Sequence, residues 1–152
     1  MTPHDIVEIN QLAIRYAAAV DRCDVAAFQA VFHRDARLHS YHPDADAPFA
    51  DLRGHEQLAR IPDAMRGMYR HTTHMLANHL VDVDGDAASG EMLCTARHLR
   101  EEAGEAVSIN GILRYVDRYV RHAGKWLIAD RQIRFLWNEH HPTSERGVGR
   151  GN

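Results

Sequence analysis

Ile6, Ile9, Ala13, Tyr16, Ala17 and Val20 recur at helical spacing among polar residues, so residues 3–22 are predicted to form an amphipathic helix with one buried face. Thr2 suits the N-cap and Pro3 the first helical position, where a missing N–H costs nothing. Asp24 can cap a second, short helix over Val25–Val31, with Phe28, Val31 and Phe32 facing inward. A short strand is expected from Ala36 to Tyr41. Residues 42–52, with Pro43, Pro48 and several aspartates, read as a loop. A third helix is expected from Gly54 to Met68, kinked or divided by Pro62.

After Thr72 the period falls from helical to alternating. Strands are expected at 72–83, 87–99, 106–121 and 125–137, joined by tight turns at Asp84-Gly85-Asp86, around Gly104 and at His122-Ala123-Gly124. Strands joined in this way form an antiparallel meander. The pattern therefore predicts an α+β domain over residues 1–138, three N-terminal helices packed on a strongly curved antiparallel sheet and enclosing a pocket. Residues 139–152 hold three glycines, Pro142 and mixed charges, and read as a flexible C-terminal tail.

Composition narrows the function classes. The chain of 152 residues is 45% hydrophobic and 26% charged, as suits one soluble domain. A net charge of −3 offers no basic face for nucleic acid, and no apolar run is long enough for a membrane helix. The N-terminus carries no signal-peptide pattern, and Cys23 and Cys94 have neither CxxC nor disulfide-framework spacing. A cytoplasmic protein with reduced thiols is expected. The twelve histidines include neighbours such as His71, His74 and His79, or His39 and His42, but alternation along a strand splits each group between faces, so no metal site is expected.

Three stretches resemble a known family. The first is Ile14-Arg15-Tyr16-Ala17-Ala18-Ala19-Val20-Asp21-Arg22-Cys23-Asp24, with Phe28 and Phe32-His33-Arg34-Asp35-Ala36 behind it. The second is Thr72-Thr73-His74-Met75-Leu76-Ala77-Asn78-His79, followed by Val83-Asp84-Gly85-Asp86. The third is Tyr119 to Ala129, centred on Gly124-Lys125-Trp126. Over residues 4–138 the chain resembles SnoaL-like proteins of the nuclear transport factor 2-like superfamily, whose cone-shaped fold matches the predicted layout. Scytalone dehydratase, bile acid 7α-dehydratase and hexachlorocyclohexane dehydrochlorinase are enzymes of the kind it resembles.

The resemblance implies a catalytic pair, Asp21 at the end of the first helix and His74 in the Thr-x-His stretch, with Tyr16 holding a substrate oxygen. An imidazole can take a proton near neutral pH, and a carboxylate on its other nitrogen sets the tautomer. Read from the residues alone, Asp21 is more often a cap or salt-bridge partner and His74 a satisfied core histidine, while Tyr16 is as readily a core tyrosine. His98, in line with a histidine of scytalone dehydratase, is expected to contact substrate and shares strand parity with Met92, Cys94 and Ala96. Asn78 shares parity with His74, and either lines the same pocket or satisfies a buried backbone group. Leu113 and Tyr115 stand where scytalone dehydratase has serine and asparagine, a departure that speaks against its substrate. Tyr115 is expected to narrow the cavity. Arg131 and Arg134 point to opposite faces of the last strand; the resemblance to the bile acid enzyme places an arginine here, and Arg134 is preferred as anchor for an anionic substrate group, against an interface salt bridge as the commoner role.

These expectations describe a lyase of dehydratase type, or an isomerase, acting without a cofactor on a small hydrophobic cyclic substrate. The alternative is a non-catalytic ligand-binding or assembly subunit resembling the small subunits of ring-hydroxylating dioxygenases. The resemblance also implies a homo-oligomer, a trimer before a dimer, assembled on the outer face of the sheet through Leu127, Ile133, Phe135 and Trp137.

Overall fold

The computed structural model describes residues 2–143. Helix α1 spans Pro3–Asp21 and opens on a capping box, in which the Thr2 side chain accepts from the Asp5 backbone while the Asp5 carboxylate reaches back to Thr2. Its buried face carries Ile9, Leu12, Ala13, Tyr16, Ala17 and Val20, close to the helical spacing read from the sequence. Asp24 caps α2 (Val25–Ala30) through the Ala27 N–H at 3.0 Å.

The chain then enters the sheet earlier than its sequence suggests. Strand β1 runs Phe32–Tyr41, and a short β2 (Ala50–Arg53) lies inside the expected loop and pairs with β1. The expected third helix is two, α3 (Gly54–Leu58) and α4 (Arg60–Met68). The division falls at Ala59 because Pro62 has no N–H to offer the Leu58 carbonyl four residues back, and Pro62 itself sits harmlessly in the first turn of α4.

Strands β3 (His71–Asp84), β4 (Ala87–Glu102), β5 (Glu105–His122) and β6 (Lys125–Pro142) form the expected meander, each longer than predicted. The six-stranded order is β2-β1-β6-β5-β4-β3, and β1 lies parallel to β6, so the sheet is mixed and not wholly antiparallel. Strand β6 continues four residues past the expected domain edge, Pro142 pairing with Val107. Residues 144–152 of the expected tail lie outside the described residues. Ile9, Phe28, Phe32, Met92, Tyr115 and Ile128 join helices to the inner face of the sheet in one core. Among the described residues no helix is long and apolar enough to cross a membrane.

Two expected faces are reversed. Ile133 and Phe135 face the concave side, so they are not available to an outer-face partner, whereas Trp137 is 53% exposed. A bulge between Ala77 and Leu80, with Asn78 at φ 52°, inserts a residue into β3 and flips the parity beyond it. Asn78 is exposed, and His79 is the half-buried one, bonded to Asn10 and Tyr119.

Candidate active site

The end of α1 meets the start of β3. Asp21 closes the helix, and its two carboxylate oxygens divide their work. Oδ2 accepts the backbone N–H of His74 at 3.0 Å, and Oδ1 lies 2.7 Å from His74 Nδ1. A carboxylate only accepts hydrogen bonds, so Nδ1 must carry the proton and Nε2 of the neutral ring keeps its lone pair. The His74 side chain is 6% exposed.

That imidazole borders a cavity of about 440 Å³ between α4 and the concave face of the sheet. Tyr16 and Val20 of α1, Leu38 and Ser40 of β1, and Ile61, Met65 and Met68 of α4 contribute to its walls. Polar groups gather at one end. His98 faces His74 edge-on at 5.7 Å between centroids, stacks on Tyr69 at 4.3 Å, and shares a hydrogen bond of 2.9 Å with the Thr72 hydroxyl. Burial, followed by the neighbouring His74, pushes the His98 imidazole down to about 4. His98 therefore stays uncharged at neutral pH.

This shift has a measurable consequence. In the unfolded chain His98 protonates near its ordinary value of 6.5, but in the folded chain only near 4. Between these values the unfolded state takes up a proton that the folded state refuses, so stability falls as pH drops through that window. His79, also lowered by burial, acts in the same direction. Urea unfolding at pH 7 and pH 5 should show the loss, and His98→Gln should shrink the difference between the two.

Tyr16 is 3% exposed, yet it borders the cavity. Burial raises the pKa of its phenol, so the group remains a neutral hydrogen-bond donor. Its ring lies on the Arg131 guanidinium at 4.1 Å, and Tyr115 covers the other contact at 4.4 Å. Arg131 is fully buried and forks onto Asp117 through bonds of 2.8 and 2.6 Å. Its Nη1 has no hydrogen-bond partner among the described residues. Tyr119 donates to Asp117 at 2.7 Å and reaches His79, which meets Asn10 of α1. Tyr115 lines the cavity as expected, donating weakly to the Cys94 sulfur at 3.5 Å.

Asp21, His74, Tyr16, His98 and Tyr115 are thus brought to one place, Asp21 through its bonds to His74. Two expected residues are not. The bulge turns Asn78 toward a shallow hollow beside Asn10 and Ile14. Arg134 lies outside the cavity, its guanidinium 4.4 Å from the Tyr41 ring centroid and its Nε 3.3 Å from Gln132. The inward arginine is Arg131, already neutralised by Asp117. The sequence reading missed Tyr69, Ser40 and Asn138 as lining residues. Register with the neighbouring strands, invisible without pairing, is what places the latter two. Among the described residues no group of three or more His, Cys, Asp or Glu side chains is placed to hold a metal ion. A wider outer hollow of about 520 Å³ between α1, α2 and β6 uses different residues of α1 and none of the histidines.

Comparison with known proteins agrees with this fold. A family model described as a SnoaL-like domain matches residues 2–132. A Novosphingobium aromaticivorans protein provisionally named an aromatic ring hydroxylase is 27% identical, with a TM-score of 0.75 over 94% of this chain and 96% of its own. A type 2 hexachlorocyclohexane dehydrochlorinase (LinA) is 15% identical, with a TM-score of 0.78 over 96% and 95%. A nuclear transport factor 2-like protein with a cystatin-like fold, from the same Novosphingobium species, is 21% identical, with a TM-score of 0.66 over 88% and 82%. No curated protein sequence matches the chain.

Proposed function

The chain belongs to the SnoaL-like domain family, and on that premise we propose that it is a lyase or isomerase that removes a proton from carbon in a hydrophobic cyclic substrate, with His74 as the general base. The observation that carries this reading is the double contact of Asp21 with His74, at 2.7 Å to the ring and 3.0 Å to the backbone, at the wall of an apolar cavity. A carboxylate bound twice cannot swing away, so the imidazole is held in one tautomer with Nε2 bare.

The reaction begins when Nε2 of His74 takes the proton of a C–H next to a carbonyl. The electron pair moves to the carbonyl oxygen, where the neutral Tyr16 phenol donates a hydrogen bond to the developing enolate. The enolate then expels a group from the next carbon, which leaves with the proton that His74 took, or, where a conjugated double bond extends it, receives that proton from Nε2 at a new carbon. The first course is a lyase reaction and the second an isomerisation. His98, uncharged, offers a hydrogen bond to the leaving group or to water without competing for the proton. The dehydrochlorinase name of one structural relative likewise denotes an elimination, there of HCl. General-base catalysis of this kind contributes about 10²–10⁴ in rate.

The test needs no knowledge of the natural substrate. In D₂O, the protein should accelerate deuterium uptake at the acidic C–H of 1-tetralone, 2-tetralone or 4-chromanone, followed by NMR, and His74→Ala should reduce the rate toward that of buffer. Exchange undiminished in H74A, or no exchange of any of the three ketones by the native protein, would overturn the proposal. A second reading, an assembly subunit, is favoured by the aromatic ring hydroxylase name of the 27% identical relative. It requires that the isolated chain exchange nothing and associate stably with a larger oxygenase chain.

A further inference from the structure

Four strands cross the floor of the cavity in one register row. His74 on β3 pairs with Ala96 on β4, Ala96 with Gly111 on β5, and Gly111 with Asn138 on β6. All four line the cavity. The two central positions carry the smallest side chains available, so the row is a trough with a polar group at each end. Neighbouring rows are filled. On one side are His98 and Ile109, and on the other Cys94, Leu113 and Phe135. Three strand spacings of about 4.8 Å set the end Cα atoms about 14 Å apart, less across a curved sheet. With an imidazole reaching in from one end and a carboxamide from the other, the remaining length suits roughly two fused rings.

Asn138 is exposed at the cavity mouth, and its carboxamide makes no side-chain hydrogen bond among the described residues. Its Oδ1 lies over Gly111, where an added Cβ would come to 3.2 Å of it. The absence of a side chain at Gly111 is what lets the carboxamide lean inward. Asn138 also lies beyond residues 2–132, which the family model matches, and none of the three stretches that carry the resemblance includes it.

We propose that Asn138 determines specificity at the far end of the trough, and that the substrate is a flat, two-ring molecule bearing a hydroxyl or carbonyl oxygen opposite its acidic C–H. This rests on the reading of His74 as the base, which fixes which end of the trough holds the reacting carbon. A carboxamide has both donors and an acceptor, so it can meet either oxygen. The apolar walls hold the rings face-on to Ala96 and Gly111, and the two ends set their orientation.

The test compares the affinities of 6-hydroxy-1-tetralone and 1-tetralone by ligand-observed NMR titration, for the native protein and for Asn138→Leu. The native protein should prefer the hydroxylated ketone roughly five- to tenfold, the worth of one hydrogen bond, and N138L should bind the two alike. Gly111→Ala, whose new Cβ would stand 3.2 Å from Oδ1 and on the floor of the trough, should weaken the preference with Asn138 intact. Equal affinities in the native protein, a preference that survives N138L, or binding of neither ketone overturns the assignment. Affinity is read without turnover, so failure here is distinct from failure of the deuterium exchange at His74.

Discussion

Asp21→Asn is expected to lower the rate of ketone deuterium exchange on the order of 10³-fold or more, while leaving the fold and ligand affinity nearly unchanged. The argument lies in the protons. Asparagine can still accept the His74 backbone N–H through its carbonyl oxygen, as Oδ2 of Asp21 does at 3.0 Å. Its amide nitrogen then faces His74 Nδ1, where Oδ1 now sits at 2.7 Å. An NH₂ group can only donate, so Nδ1 must become the acceptor and the ring proton moves to Nε2. The nitrogen facing the substrate then has no lone pair to offer. The negative charge that would stabilise the imidazolium is lost as well. Steady-state exchange by NMR, beside a thermal melt and a 1-tetralone titration, separates this from simple unfolding. A rate within threefold of the native protein would show that Asp21 only fastens the helix end to the sheet.

Asp117→Ala should destabilise the fold by about 3–5 kcal/mol, the cost typical of leaving one member of a buried ion pair alone. Arg131 is fully buried between Tyr16 and Tyr115 and has no water to turn to. Burial works to pull its pKa down, but the charge and hydrogen bonds of Asp117 hold it well above the ordinary value. The guanidinium therefore stays a cation and cannot escape by losing its proton. Tyr119 loses its acceptor in the same variant. For a chain of this size the midpoint of thermal unfolding should fall by roughly 10 °C. The pair Asp117→Leu with Arg131→Met, which removes both charges, should recover most of the loss. A single variant as stable as the native protein would mean that the tyrosine rings alone support the charge.

Much of the architecture can be read in the chain because the relevant forces are local. Helical spacing in α1, the Thr2 and Asp24 caps and the Gly85 and Gly124 turns need only neighbours in sequence to act. Asp21, His74 and Tyr16 were legible through the family resemblance, since each sits in a stretch of similar residues. The errors arise where pairing partners decide. Alternation projected Asn78 onto the His74 face, but one inserted residue in β3 reverses it. Arg134 was preferred over Arg131 for an anion, yet the inward strand position belongs to Arg131 and is consumed by Asp117 fourteen positions away. The parallel pairing of β1 with β6 joins segments about ninety residues apart and leaves no trace in either one's periodicity.

By itself, then, the sequence determined the helices, the meander and the residue types available for proton transfer, because hydrophobic period, caps and turns act within a few residues. Only the tertiary structure decided which side chains share the cavity. A strand's face depends on register, register on bulges and partners, and the row from His74 to Asn138 exists only once the four consecutive strands of the meander pair with their bulges in place.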